Sequence, residues 1–196
     1  MKSDRKIVLA SRSPRRKKLL EQIGLNFAVR ESEYEEDMSV TDDPEELVKF
    51  LAMKKAEDVA RHYDDAIIIG SDTVVVFGGK ILGKPENEEG ARRMLRELSG
   101  REHKVFTGLA IIDTKNTIKV NVCGQARVKF RELEEREIED YIATGEPLDK
   151  AGAYGIQDKG ILLIEEIRGD YCTIVGLPLT LVYRELKKMG IDFFRN

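Results

Sequence analysis

The segment Lys6–Leu20, KIVLASRSPRRKKLL, passes from a strand to a helix without a linker. Lys6 to Ala10 is a short apolar run of the kind that forms a buried strand. Ser13 then offers a side-chain oxygen as N-cap, and Pro14 fits the first helical position, where its missing N–H is no loss. Leu19, Leu20 and Ile23 keep a helical spacing up to Gly24, a C-terminal stop. A strand that hands over directly to a helix start is a common anion-binding arrangement in α/β proteins, because free N–H groups and the helix dipole face the turn. Arg15 and Arg16 fall in the first turn, where the dipole disfavours each cation by roughly 0.3–1 kcal/mol. A bound phosphate removes that conflict. So does splaying into solvent or pairing with the acidic stretch Glu31–Glu46, and both readings stand.

The strand–helix alternation continues along the chain. Asn26–Arg30 predicts a second strand. Glu31–Glu46 carries nine acidic and no basic residues, so it begins as a loop. Asp43-Pro44-Glu45-Glu46 reads as an N-cap, a first-position Pro and a capping-box Glu; Leu47, Phe50, Leu51, Lys54 and Val59 carry that helix to about His62. Ala66–Gly70 (AIIIG) predicts a buried strand, Ser71-Asp72-Thr73 a polar turn, and Val74–Phe77 a strand ending in a Gly78-Gly79 hairpin. Helices are expected over Asn87–Leu98, Glu134–Thr144 and Pro178–Lys188, and a strand over Ile161–Ile167. Lys104–Asp113 and Thr117–Phe130 form two long β runs around Lys115-Asn116. Alternation combined with long hairpins indicates an α/β fold around a mixed sheet, in a single domain spanning residues 1–196.

Composition narrows the function classes. Lys and Arg total 33 against 36 for Asp and Glu, a formal charge of −3, with no polybasic tail for a nucleic acid. The longest uncharged stretch, about Cys172 to Tyr183, is broken by Gly176 and Pro178 and falls short of the ~18 apolar residues of a membrane span. The start returns to Arg12 after five apolar or small residues, which is not a signal peptide. Two cysteines, Cys123 and Cys172, make no disulfide framework. A cytoplasmic protein without membrane or nucleic-acid partners is therefore expected. With two histidines, His62 and His103, and no zinc-ligand spacing, catalysis should rest on carboxylates, Lys and Arg.

Three further segments could carry chemistry. Asp72, after a buried strand, is placed either to face a ligand or to act as an ordinary polar turn residue. Gly78–Pro85 satisfies G-x-x-x-x-G-K, but Pro85 stands where a P-loop needs a hydroxyl, so a P-loop is rejected. Lys84 remains a phosphate contact or an exposed loop lysine. Glu146–Gln157 is too rich in Gly and Pro for a regular element and reads as a functional loop or a surface connection.

Leu9-Ala10-Ser11, Ser13-Pro14-Arg15-Arg16, Ser71-Asp72-Thr73, Gly83-Lys84-Pro85, Ser99-Gly100 with His103, Val105 and Thr107, Glu146-Pro147 with Asp149–Gln157, and Gly169-Asp170-Tyr171 with Val175–Pro178 recur in this order in one family. From Ile7 to about Leu186 the chain resembles the Maf-family nucleoside triphosphate pyrophosphatases. The resemblance implies an ITPase-like fold, a long mixed β-sheet flanked by helices with a cleft between two lobes. It implies hydrolysis of a nucleoside triphosphate to the monophosphate and pyrophosphate with a divalent cation, Mg or Mn, and a homodimer. Asp72 is implied as general base, metal ligand or both. Ser11, Arg16, Lys55 and Lys84 are implied as substrate contacts, and Glu35 as the carboxylate that assists with metal or water, with Glu33 and Glu36 as alternatives. Arg15, Thr73 and Gln157, the positions that separate subgroups, resemble the dTTP/UTP-directed branch. His103 and Thr107 are expected in packing or hydrogen bonding, and Tyr154 beside the nucleobase or as a loop cap. The rival reading is a nucleotide-sensing regulatory or binding protein linked to septum formation.

Overall fold

The computed structural model describes residues 5–191 together with Phe193 and Phe194. The elements run β1 (Ile7–Leu9), α1 (Pro14–Gln22), β2 (Ala28–Val29), α2 (Pro44–Ala60), β3 (Ile67–Phe77), β4 (Lys80–Leu82), α3 (Glu88–Leu98), β5 (Glu102–Asp113) and β6 (Ile118–Phe130). They continue with α4 (Glu135–Ile142), β7 (Ile164–Gly169), α5 (Tyr171–Val175) and α6 (Leu179–Lys188), with 3-10 turns at Glu146–Asp149, Ala151–Ala153 and Lys159–Leu163. Strands hydrogen-bond in the order β2-β1-β3-β5-β6-β7, with β4 on β3. β1 is parallel to β2 and β3, with Ile7 opposite Ile67 and Leu9 opposite Ile69. β4 is antiparallel to β3, and β7 to β6. The expected α/β class with a mixed sheet and flanking helices is what the chain adopts.

Two compact units divide the chain, and β3, β5 and β6 each run from one into the other. The first comprises the chain through Asp72, Thr107–Gly124 and the segment from Gly176 on. Its core joins Val8, Ile68, Ala110 and Ile112 of the strands to Ala52, Ala56 and Val59 of α2. Helix and sheet meet backbone to backbone. A Cβ on Gly70 would lie 2.4 Å from the Ala52 carbonyl oxygen, and one on Gly108 would lie 2.1 Å from that of Val48. The second unit, Thr73–Phe106 with Gln125–Val175, packs Leu95 and Leu98 of α3 and Ile138, Tyr141 and Ile142 of α4 with Val105, Val128 and Phe130.

Three local expectations need correction, and one short helix lies outside all of them. Ser71-Asp72-Thr73 is not a turn; β3 continues through it for 11 residues. The turn preference of Ser and Asp reflects competition by their side chains for backbone groups. Here the Ser71 hydroxyl is fully buried and engages the carbonyls of Gly108 and Gly176 instead, at 2.8 and 2.9 Å. Glu46 closes no capping box, because its carboxylate accepts from Lys49 at 2.8 Å while the Asp43 N–H goes to Thr41. The strand predicted from Ile161 starts at Ile164, preceded by a 3-10 turn, and the short α5 had no sequence signal.

Gly70→Ala and Gly108→Ala each force the α2 backbone away from the sheet. Overpacking of this kind typically costs about 1–3 kcal/mol. Urea unfolding should register a loss of at least that size in both variants, and unchanged midpoints would refute the close contact.

Candidate functional site

Helix α2 buries Leu47, Val48, Leu51, Ala52, Ala56 and Val59. Lys55 lies four residues after Leu51 and four before Val59, so a cation occupies an otherwise apolar row of the helix. Because Gly70 lets this helix touch β3, the short distance to Asp72 is within the lysine's reach. Lys55 Nζ donates to Asp72 Oδ1 at 2.5 Å and lies 2.6 Å from Glu36 Oε1. The Lys55 and Asp72 side chains are only 12% and 9% exposed, whereas that of Glu36 is 44% exposed. A buried carboxylate and a more accessible one therefore share a single ammonium. In place of Glu35, which is exposed, the next residue in the acidic loop is the one that reaches Lys55. Glu33 instead donates its backbone N–H to Asp58.

The first turn of α1 supplies the second part. Ser13 is the N-cap, its hydroxyl accepting from the Arg16 N–H, and Pro14 follows as expected. No acidic residue offsets the cations of this turn. The Arg16 guanidinium donates through Nε to the Gly176 carbonyl at 2.8 Å and through Nη1 to Ser11 Oγ at 3.2 Å. Ser11 is itself buried and accepts from the Ser13 N–H. Burial lowers the pKa of Arg16 from its ordinary value, the Asp72 charge opposes that shift, and neighbouring Arg15 reinforces it. Arg15 is half-buried beside it in sequence. This is a partly buried cation fixed in orientation at a helix start, which suits a phosphate.

Thr73, Lys84 and Gln157 belong to the second unit: Thr73 half-buried in β3, Lys84 exposed after β4, Gln157 half-buried after the 3-10 turns. The Lys84 and Gln157 segments are tied together, since the Gly152 N–H donates to the Gly83 carbonyl at 3.0 Å. Lys150 braces the same loop from inside. Its stem lies where a Cβ on Gly155 would be, and its ammonium donates to the Glu146 carbonyl at 2.7 Å and to Asp149 at 2.8 Å. The Gly155 N–H donates to the Tyr141 hydroxyl. Tyr154 is buried, hydrogen-bonded to His103 Nε2 at 2.7 Å, and forms an edge-to-face trio with His103 and Phe130. That places Tyr154 in the core of this unit as an anchor of the loop, and His103 in the packing role expected for it.

A model of the Maf-like protein family matches residues 6–189. This chain belongs to the Maf family. Among its relatives, a Bacillus cereus protein named dTTP/UTP pyrophosphatase is 50% identical over 188 residues, covering 96% of this chain and 97% of its own. Proteins of the same name from Bacillus thuringiensis subsp. konkukian and Bacillus anthracis are 49% and 48% identical over the same shares. The Staphylococcus aureus Ham1 protein overlaps in structure with a TM-score of 0.45 at 13% identity, over 64% of this chain and 71% of that one. Among the described residues no helix is long and apolar enough to cross a membrane.

Two elements of the site carry almost no signal in a family chain read as letters. The Gly176 carbonyl, acceptor for both Arg16 and Ser71, is a backbone group. Glu36 is one of nine acids in a row of similar letters. Lys55, by contrast, is visible as a charge in the Leu51–Val59 row.

His103 provides a pH test of the second unit. Burial pushes its pKa down to about 4 from 6.5, and its Nδ1 has no partner among the described residues. The unfolded chain therefore takes up this proton first as pH falls. Stability from this source is complete above about pH 6.5 and is lost toward pH 4, by at most about 3 kcal/mol. Denaturant unfolding of His103→Gln across that range should show a shallower pH slope than the parent; an identical slope would contradict the assignment.

Proposed function

We propose that this chain hydrolyses nucleoside triphosphates, dTTP and UTP foremost, to the monophosphate and pyrophosphate. The observation that carries the reading is the convergence of Asp72, Glu36 and Lys55 in the unit that also presents the partly buried Arg16. Near-full-length relatives named dTTP/UTP pyrophosphatase support the substrate class.

A divalent cation fits these donors. Asp72 and Glu36 are hard oxygen ligands whose oxygens already share one cation, the Lys55 ammonium. Among the described residues no group of three or more His, Cys, Asp or Glu could hold a metal. Mg²⁺ and Mn²⁺ sites completed by substrate phosphates and water need only one or two carboxylates. When bound there, such a cation neutralises phosphate charge and acidifies water. Asp72 and Glu36 would hold it, with Glu36 taking the part first given to Glu35.

The chain's own groups then divide the work. Asp72 accepts the proton of a water whose oxygen forms the new bond to the α-phosphorus. The bond from that phosphorus to the oxygen bridging to the β-phosphorus breaks, and the electron pair leaves with pyrophosphate. Arg16 and Lys55 oppose the negative charge that grows on the phosphoryl oxygens, Arg16 with an orientation already set by Gly176 and Ser11. Ser11 and Arg15, in the same unit, hold further parts of the nucleotide, while Thr73, Lys84 and Gln157 are substrate contacts by resemblance to the family alone.

Purified protein with Mg²⁺ and a panel of nucleoside triphosphates should release pyrophosphate and monophosphate, fastest from UTP and dTTP. Orthophosphate as the sole phosphate product would defeat the reading, and no turnover would favour the nucleotide-sensing alternative. Asp72→Asn should lower kcat by about 10²–10⁴-fold, and near-parental turnover would remove Asp72 from the mechanism. Arg16→Ala should lower kcat by about 10²-fold; a change confined to KM would contradict its role in the transition state.

A further inference from the structure

Lys55 stands where the proposed reaction needs a metal ion. Its ammonium lies 2.5 Å from Asp72 and 2.6 Å from Glu36, and its stem is packed in the buried row between Leu51 and Val59. An ammonium is a compact charge with three donors, so it can neutralise two carboxylates at once much as a small cation does. A bare divalent ion entering between Asp72 and Glu36 would have to break both contacts. It would leave a largely buried lysine without its counter-charges in the unit that also holds Arg15 and Arg16, and an unpaired buried charge is strongly unfavourable. A triphosphate changes that balance, because it brings phosphate oxygens that can complete the metal's coordination and accept from Lys55.

We propose that Lys55 is a built-in placeholder for the metal: in the nucleotide-free protein it fills the cation position between Asp72 and Glu36. The divalent ion therefore enters only as its complex with a nucleoside triphosphate, and Lys55 transfers from the carboxylates to the phosphates as that complex binds. The inference rests on the reading of Asp72 and Glu36 as the metal carboxylates. It adds an order of binding and a safeguard against idle metal occupancy of the free protein.

The test is Mn²⁺ binding to the nucleotide-free full chain, followed by the electron paramagnetic resonance of free Mn²⁺. Lys55→Met removes the ammonium and keeps the length of the stem, and Lys55→Gln keeps a donor without the charge. Thermal unfolding checks that each variant is folded, and the second serves if the first is not. Both should bind Mn²⁺ at least about tenfold more tightly than the parent, and Asp72→Asn in the Lys55→Met background should abolish that gain. A non-hydrolysable UTP analogue should raise Mn²⁺ binding by the parent far more than by Lys55→Met. Equal Mn²⁺ affinity in parent and both lysine variants, with that affinity still lost in Asp72→Asn, would overturn the placeholder and leave the metal carboxylates standing. Affinity indifferent to Asp72→Asn in every background would overturn the metal assignment itself, and the placeholder with it.

Discussion

Helix α2 touches the sheet backbone to backbone, and that separation decides what Lys55 can reach. Two glycines make the approach possible: neither the Ala52 nor the Val48 carbonyl leaves room for a Cβ at Gly70 or Gly108. Gly70 is two residues before Asp72 on β3, so the contact that seats the helix also sets the distance between lysine and carboxylate. Ser71, between the two, is fixed to Gly108 and to Gly176, whose carbonyl also receives Arg16. A single stretch of β3 thus registers the helix, the carboxylate and the arginine against one another.

The electrostatics follow from that packing. A formal charge of −3 hides a segregated pattern, with a run of cations at the start of α1 and a run of acids before α2. Arg16 donates to the neutral acceptors Ser11 and Gly176 and also feels the charges of Asp72 and Glu36. Asp72 and Glu36 are spent on Lys55. The unit is therefore arranged to exchange partners with a polyanion and its counter-ion, which is a different property from the broad basic surface that a nucleic acid requires.

Much of this was legible in the letters, and the failures have physical causes. Ser13-Pro14 located the start of α1, Asp43-Pro44 that of α2 and Gly78-Gly79 the β3–β4 hairpin, because caps and turns are read out by local geometry. Ser71-Asp72-Thr73 has the composition of a turn, yet its side chains find partners far away in sequence, Ser71 at Gly108 and Gly176 and Asp72 at Lys55. Asp72 is marked by its motif and Lys55 by the family resemblance, but their contact depends on the helix-to-sheet distance, a tertiary quantity. The choice among Glu33, Glu35 and Glu36 turns on the path of an irregular loop, which no periodicity encodes. The burial of Lys150, whose stem fills the space beside Gly155, has no counterpart in the sequence of a loop rich in Gly and Pro.

The most direct measurement of the central claim is the fate of solvent oxygen. Hydrolysis of UTP by the full chain with Mg²⁺ in oxygen-18 water, followed by mass spectrometry of both products, locates the bond that forms. Attack at the α-phosphorus predicts the label in the nucleoside monophosphate and none in pyrophosphate. Label in pyrophosphate, with unlabelled monophosphate, would contradict the account.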